Sequence, residues 1–332
     1  MKTALAILNY NGQKFLKNYI PSIVKYSSEA SIYLIDNGSN DNSIKFIKKY
    51  FPSIKLIIHK KNLGFCEGYN KAISKIDAEL ICIMNNDLTV KSKWLLPIID
   101  HFKKNLNTAI AQPHILDLKK PEFFEYAGAA GGFVDRLGYP YCRGRVFNTI
   151  EKDLGQFDNT EKIFWASGAC FFIRKEIFNS LNGFDSDFFA HQEEIDLCWR
   201  AFNQGLDIVS IGESKVFHLG EGTLQNSPKK TFLNFRNSLL SLLKNLPEKR
   251  TLRIIERLLW DYLAFLFFLL KLKPFHAFAI LKAHLSFFKL SKKIKNKMRF
   301  SPINKQYYKI NNLPVKYFLH GRKKFTSLLK NF

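Results

Sequence analysis

Carboxylates almost vanish from the last third of this chain. Residues 228–332 carry three Asp+Glu against 24 Lys+Arg, whereas residues 1–227 carry 25 against 27. The net charge of +23 is therefore a property of one segment, and it argues for a local contact with an anionic surface. No RNP1 pattern, zinc-finger spacing or recognition-helix motif accompanies it, so nucleic acid is not expected as a partner. The five cysteines (Cys66, Cys82, Cys142, Cys170, Cys198) form no CxxC pair and are odd in number, which excludes a disulfide framework and a thiolate zinc site and suits reduced surroundings. Neither GxGxxG nor GxxxxGK[ST] occurs, so a nucleotide would have to be held without the usual phosphate cradles. Long apolar runs are missing too. Leu258–Leu270 is thirteen residues with Asp261 inside, short of the roughly 20 that a spanning helix needs. Ala4–Leu8 is too short for a signal-peptide core, so a cytoplasmic location is expected.

What is present alternates. Apolar or β-branched runs at Thr3–Leu8, Ser31–Ile35, Ile54–Ile58 and Glu79–Met84 read as strands, separated by amphipathic stretches near 13–26, 41–50, 67–75 and 92–105. That rhythm predicts an α/β fold whose mostly parallel sheet has helices on both faces. Ligands bind such sheets beyond the carboxyl ends of the strands, and polar clusters stand there: Asn9–Gly12, Asp36–Asp41, Asn62–Gly64 and Asn85–Asp87. Beyond residue 110 the pattern becomes mixed, with strands expected at Phe164–Ile173 and Asp207–Ile211 and a helix at Glu193–Asn203.

Several of these residues carry chemistry. Asp36 ends the second strand, where its carboxylate can accept from a base N–H or a ribose hydroxyl; the same residues also read as a turn followed by a helix cap. Asp87 ends an apolar strand, where a carboxylate can hold a hard divalent cation or simply cap the next helix. His218, at the end of Ser214–Phe217, offers an imidazole to the same cation. In the helix at 193–203, Ile195, Cys198, Trp199 and Phe202 form the buried face, with Glu193, Asp196 and Arg200 expected on the opposite one and Glu194 at the border. A half-desolvated border carboxylate suits a general base, although acidic residues in a first helical turn are also favoured by the helix dipole.

Taken in order, these segments resemble the inverting family 2 glycosyltransferases of the GT-A fold, especially the bacterial rhamnosyltransferase-like branch. The resemblance rests on Asn9–Gly12, the IDNGSND stretch Ile35–Asp41, Asn62–Asn70 (NLGFCEGYN), Asn85–Asp87, Trp165–Ala169, Gly183–Asp185 with Phe188 and Phe189, the run EEIDLCWR at Glu193–Arg200, and His218. It implies a GT-A domain over residues 1–227 and inverting transfer of a hexose, rhamnose being suggested by the branch, from a nucleotide diphosphate sugar to a glycan or lipid-linked glycan. It further implies that Asn9, Asn11, Asp36, Asn62, Asn85 and Asn86 bind the nucleotide sugar. Asp87 with His218 would hold Mg2+ or Mn2+, and Trp165, Gly168, Glu193 and Asp196 would lie near donor sugar and acceptor. Glu194 falls at the catalytic base. The chain departs from the family twice: Asn85 replaces the first acidic residue of the metal motif, and Glu194 replaces the usual Asp.

The remaining residues, 228–332, read as a basic, amphipathic helical extension. Phe278, Leu281, Leu285 and Phe288 form a stripe flanked by lysines, the pattern of a helix lying on the anionic inner face of a cell membrane. A helical pair packed on the first domain with a solvated basic face would give the same pattern. Other readings of the chain are a nucleic-acid-binding protein, a glycoside hydrolase built on Glu193, Glu194 or Asp196, and a non-catalytic scaffold with the same fold.

Overall fold

A computed structural model describes residues 1–220, 227–246, 250–295, 297 and 306–329. The alternating half forms as read: β1 (Thr3–Asn9), α1 (Gln13–Lys25), β2 (Ser31–Asp36), α2 (Ser43–Tyr50), β3 (Lys55–Ile58), α3 (Gly64–Ile73) and β4 (Leu80–Asn85). β3, β2, β1 and β4 pair in parallel, with Asn9 opposite Asp36 and Leu8 opposite Asn85. Their carboxyl ends therefore share one edge. β1 and β4 are apolar on both faces because helices cover both, so they lack the alternation of a half-exposed strand.

The second half closes the sheet. After the short β5 (Leu88–Val90) and α4 (Leu96–Lys104) comes β6 (Thr108–Asp117). Then β7 (Gly132–Val134), β8 (Pro140–Cys142), β9 (Arg145–Val146) and β10 (Thr149–Ile150) form a separate small antiparallel sheet. β11 (Glu161–Lys162), β12 (Cys170–Arg174) and β13 (Asp207–His218) return to the main sheet, whose order is β11-β13-β6-β12-β4-β1-β2-β3, with β5 on β13. β12 runs antiparallel to β4, so the sheet is mixed on this side.

Two strand expectations need correction. Phe164–Ile173 is a strand only from Cys170, because Trp165 and Gly132 exchange backbone bonds with the small sheet first. The strand expected at Asp207–Ile211 runs on to His218, carried past a register shift at Ile211/Lys215.

The helices α5 (Lys175–Ser180), α6 (Glu193–Asn203), α7 (Pro228–Asn245), α8 (Arg250–Leu270), α9 (Pro274–Lys295) and α10 (Phe325–Leu328) complete the chain. α7 lies between α6 and α9 and is buried over most of its C-terminal half. The expected boundary at 227/228 thus falls just before a helix that packs into the first domain. The C-terminal segment wraps the small sheet: Phe325 stacks on Phe133 and Tyr141, and the Leu313 N–H donates to Asp135 at 2.8 Å. Among the described residues no helix is long and apolar enough to cross a membrane.

Candidate active site

The edge where β1, β2 and β4 end is a net of amides and carboxylates. Asn9 is buried; its Nδ2 faces Asp36 Oδ1 and Ser39 Oγ at 3.3 Å each, and its Oδ1 accepts from Asn86 Nδ2 at 2.9 Å. Gly12 leaves room for that last bond, since a Cβ there would stand 2.3 Å from Asn9 Oδ1 and 2.4 Å from Asn86 Nδ2. Asn11, with φ 49°, accepts from the Asn40 N–H at 2.8 Å. Asp36 is fully buried and its Oδ2 accepts from the Ser39 N–H at 2.9 Å, so the turn-capping role is met in this structure. Asn62 is exposed, and its Oδ1 accepts from Asn37 at 3.0 Å and from the Gly64 N–H at 2.9 Å. Asn37, which the sequence reading did not single out, ties the β2 and β3 loops together.

At the β4 end, Asp87 is buried; its Oδ1 lies 3.0 Å from His218 Nε2 while its Oδ2 has no partner. Asn85 Nδ2 lies 3.4 Å from the same imidazole nitrogen. On the other side His218 Nδ1 is 3.4 Å from Glu125 Oε2, a third ligand-type residue with no signal in the sequence because it stands in a distant loop between its two partners. Burial pulls the His218 imidazole down, but the two carboxylates outweigh it and hold the proton up to about 10. The unpaired Asp87 Oδ2 could be offered to a hard divalent cation such as Mg2+ or Mn2+, and His218 could join it by giving up the proton that Asp87 and Glu125 hold on its ring. A second acidic group, His114 with Asp153 and Asp158, already holds a cation of its own: Lys215 Nζ lies 2.7 Å from Asp153 and 3.1 Å from Asp158.

The third component arrives from α6. Glu194 is half-buried with an unpartnered Oε2, as is Oε2 of the buried Glu193 beside it. Burial pushes the Glu194 carboxyl up to about 7 against the backbone N–H groups that favour its charge. The Glu193 carboxyl is raised well above its usual range, by burial first and by Glu194 second. Two contacts bring Glu194 to the strand edge. The Asn85 N–H donates to Ala169 O at 2.9 Å, and next to Ala169 a Cβ on Gly168 would lie 3.9 Å from Glu194 Cδ and 3.7 Å from Phe65.

Three expectations about side chains are corrected, the first being that Glu193, expected on the open face of α6, is buried because that side of the first turn is covered as well. Asp196 does not project to the open face of α6. It is fully buried, where its oxygens accept from Arg200, Lys244 and Asn245 at 2.9 Å each, which commits it to ion pairing; helical periodicity cannot anticipate the lysine that α7 brings. Trp165 is also in the core, 2 % exposed, with its Nε1 donating to Phe133 O at 2.9 Å. It offers no surface to a sugar.

The family model for glycosyl transferase family 2 matches residues 5–181, more than half of the chain. This chain belongs to glycosyl transferase family 2. The matched stretch holds the strand-end amides, Asp87 and Gly168; Glu194 and His218 lie beyond it. Among curated relatives, a hexosyltransferase of low-salt glycan biosynthesis from Haloferax volcanii is 23% identical over 72% of this chain and 74% of its own. The Mycobacterium tuberculosis N-acetylglucosaminyl-diphospho-decaprenol L-rhamnosyltransferase is 23% identical over 64% of this chain and 74% of its own. Among solved structures, GalNAc-T7 with UDP, GalNAc and Mn2+ superposes with a TM-score of 0.60 at 16% identity, covering 76% of this chain and 49% of that one. The fold is therefore GT-A, and this chain spans about half the length of that neighbour. As a family 2 enzyme it is a glycosyltransferase.

Proposed function

We propose that this glycosyltransferase moves a hexosyl group from a nucleotide diphosphate sugar to a hydroxyl of a glycan or lipid-linked glycan, with inversion at the anomeric carbon. The observation that carries the reading is the pair of buried, unpartnered carboxylate oxygens, Asp87 Oδ2 and Glu194 Oε2, joined along one sheet edge through Asn85, Ala169 and Gly168. Asn9, Asn11, Asp36 and Asn62 shape the nucleoside end and Asn85 and Asn86 the diphosphate end. Asp87 and His218 hold a divalent cation, which when bound offsets the charge of the departing diphosphate.

In the transfer, Glu194 Oε2 takes the acceptor's O–H proton as the oxygen attacks the anomeric carbon. The new C–O bond forms on one face while the bond to the diphosphate oxygen breaks on the other, its electron pair leaving with the nucleotide. Glu194, raised to about 7 by its burial, is matched to this task near neutrality. Gly168 lies between Phe65 and Glu194, where a Cβ would touch both. The rest is positioning and preorganised electrostatics.

The test is a panel of donors, thymidine diphosphate rhamnose and uridine diphosphate sugars first, assayed with Mg2+, Mn2+ or chelator. Chelation should abolish transfer, and Asp87→Ala and Glu194→Gln should each lower it by about a hundredfold or more. Wild-type rates in either variant at saturating donor remove that residue from the mechanism. The curated relatives' roles in glycan assembly and on a diphospho-decaprenol acceptor support a lipid-linked glycan as acceptor. The outward face of α8 and α9, rich in Leu, Phe and Lys, supports residence on an anionic membrane surface.

A further inference from the structure

The backbone that delivers Glu194 is unusual. Phe189, His191 and Gln192 have φ of 64°, 65° and 72°, a region that side chains disfavour. Gln192 is the N-cap of α6 and its side chain makes no capping bond. The carbonyls of this loop turn instead toward α7. Asn237 Nδ2 lies 2.8 Å from Phe188 O, 2.9 Å from Ala190 O and 2.7 Å from His191 O. Its Oδ1 accepts from Arg236 Nε at 2.8 Å, which fixes the amide with its NH2 toward the loop. Arg236 Nη2 adds bonds to Phe188 O at 3.0 Å and Asp187 O at 3.3 Å. Asn237 is fully buried, so no water can replace it.

The same helix grips α6 beyond the base. Lys244 and Asn245, seven and eight residues after Asn237 and hence on its face of α7, hold both oxygens of Asp196 at 2.9 Å. Glu194 sits between these two anchors, and the unpartnered His191 Nε2 and Glu193 Oε2 flank it.

We propose that Asn237 and Arg236 are positioning residues for the reaction: their bonds to the carbonyls of residues 187–191 hold the left-handed entry to α6 and so aim Glu194 at the acceptor. This rests on the reading of Glu194 as the base. Aspartate at 237 has no N–H to give, and alanine takes the amide away from the Ala190 and His191 carbonyls, leaving Phe188 O with the Arg236 guanidinium and the Ala190 N–H. A displacement of about 1 Å at a catalytic group is enough to cost about a hundredfold.

The test uses the full chain with whichever nucleotide sugar the panel above selects. Asn237→Ala and Asn237→Asp should lower kcat by about a hundredfold while leaving the donor KM within about threefold. The pH at half-maximal rate should move down from near 7 as the loosened loop admits water to Glu194. Adding Gln192→Gly to Asn237→Ala should return part of the rate, because glycine takes a left-handed φ without a side-chain penalty. Should neither Asn237 variant fold, Arg236→Gln, which removes two loop bonds at a half-buried site, is read in the same way. A kcat close to wild type overturns the proposal, as does a lower rate with an unmoved pH profile and no recovery on adding glycine. If Glu194→Gln is itself fully active, the reading beneath the proposal fails; if Glu194→Gln is inactive while Asn237→Ala turns over normally, only the positioning role fails.

Discussion

Glu194 shows how one residue can oppose stability and function. Its carboxyl, pushed up to about 7 by burial, must be ionised to take a proton. Turnover should therefore fall as pH drops through about 7, by about tenfold per unit, which an initial-rate profile between pH 5 and 9 will read. Stability runs the other way. Between the ordinary glutamate range and about 7 the folded chain keeps a proton that the unfolded chain releases, so this group's contribution is present at low pH and lost as pH rises through 7. Glu194→Gln should accordingly melt above wild type at pH 8, by about 2–4 °C per kcal/mol recovered, although it turns over far more slowly. A lower Tm in differential scanning calorimetry would place Glu194 in a stabilising contact instead.

At the scale of elements, α8 and α9 form a hairpin in which α8 buries the charged Arg257 and Asp261 while many large apolar residues of both helices face outward. Asp261, the charge that interrupts the apolar run, is fully buried and accepts from Arg257 at 2.7 Å and Tyr139 at 2.9 Å. The outward face of α8 is left to Leu259, Tyr262, Leu263 and Leu266, and the turn exposes Leu270, Leu272 and Phe275 by 77–88 %. On α9 the inward positions include Ala277, Ala279 and Ala283, which let the helix approach α7 closely. The larger Phe278, Leu281, Leu285 and Phe288 face outward among exposed Lys282, Lys289 and Lys292. An exposed apolar patch rimmed by lysines fits a lipid surface. Leu263→Glu with Phe278→Glu should abolish co-sedimentation with anionic vesicles while leaving Tm nearly unchanged, since both sites are exposed. Undiminished binding would show that the anchor lies elsewhere.

Across the whole molecule, a few of the C-terminal cations are spent internally, and these couple the helices to the catalytic half. Lys244, 6 % exposed, bonds Asp185 at 2.8 Å and Asp196 at 2.9 Å; Lys297 reaches Asp185 and Asp187 at 2.6 Å. Burial opposes ionisation of Asp185, yet these lysines hold its carboxyl far below the usual range. Lys244→Met would leave two buried carboxylates short of a partner, a loss of about 3–5 kcal/mol that should appear as a lower midpoint in urea unfolding. A midpoint unchanged from wild type would show the cluster to be dispensable.

Local rules made the first half of this fold legible. Alternating apolar runs and polar tips fix strands, helices and a ligand edge because each depends on neighbours a few residues away, and the start and end of α6 follow from its period alone. The family motifs singled out Asp87, Glu194 and His218, and the roles given to them above are the proposal that the variants test. Only the tertiary structure could show that Asp196 is a buried ion-pair partner, that Trp165 belongs to the core, and that Glu125, Asn37, Asn237 and Lys244 join the site or brace it. Those contacts close loops of 25 to 93 residues, and a carboxylate's role depends on which cation or amide the folded chain sets beside it.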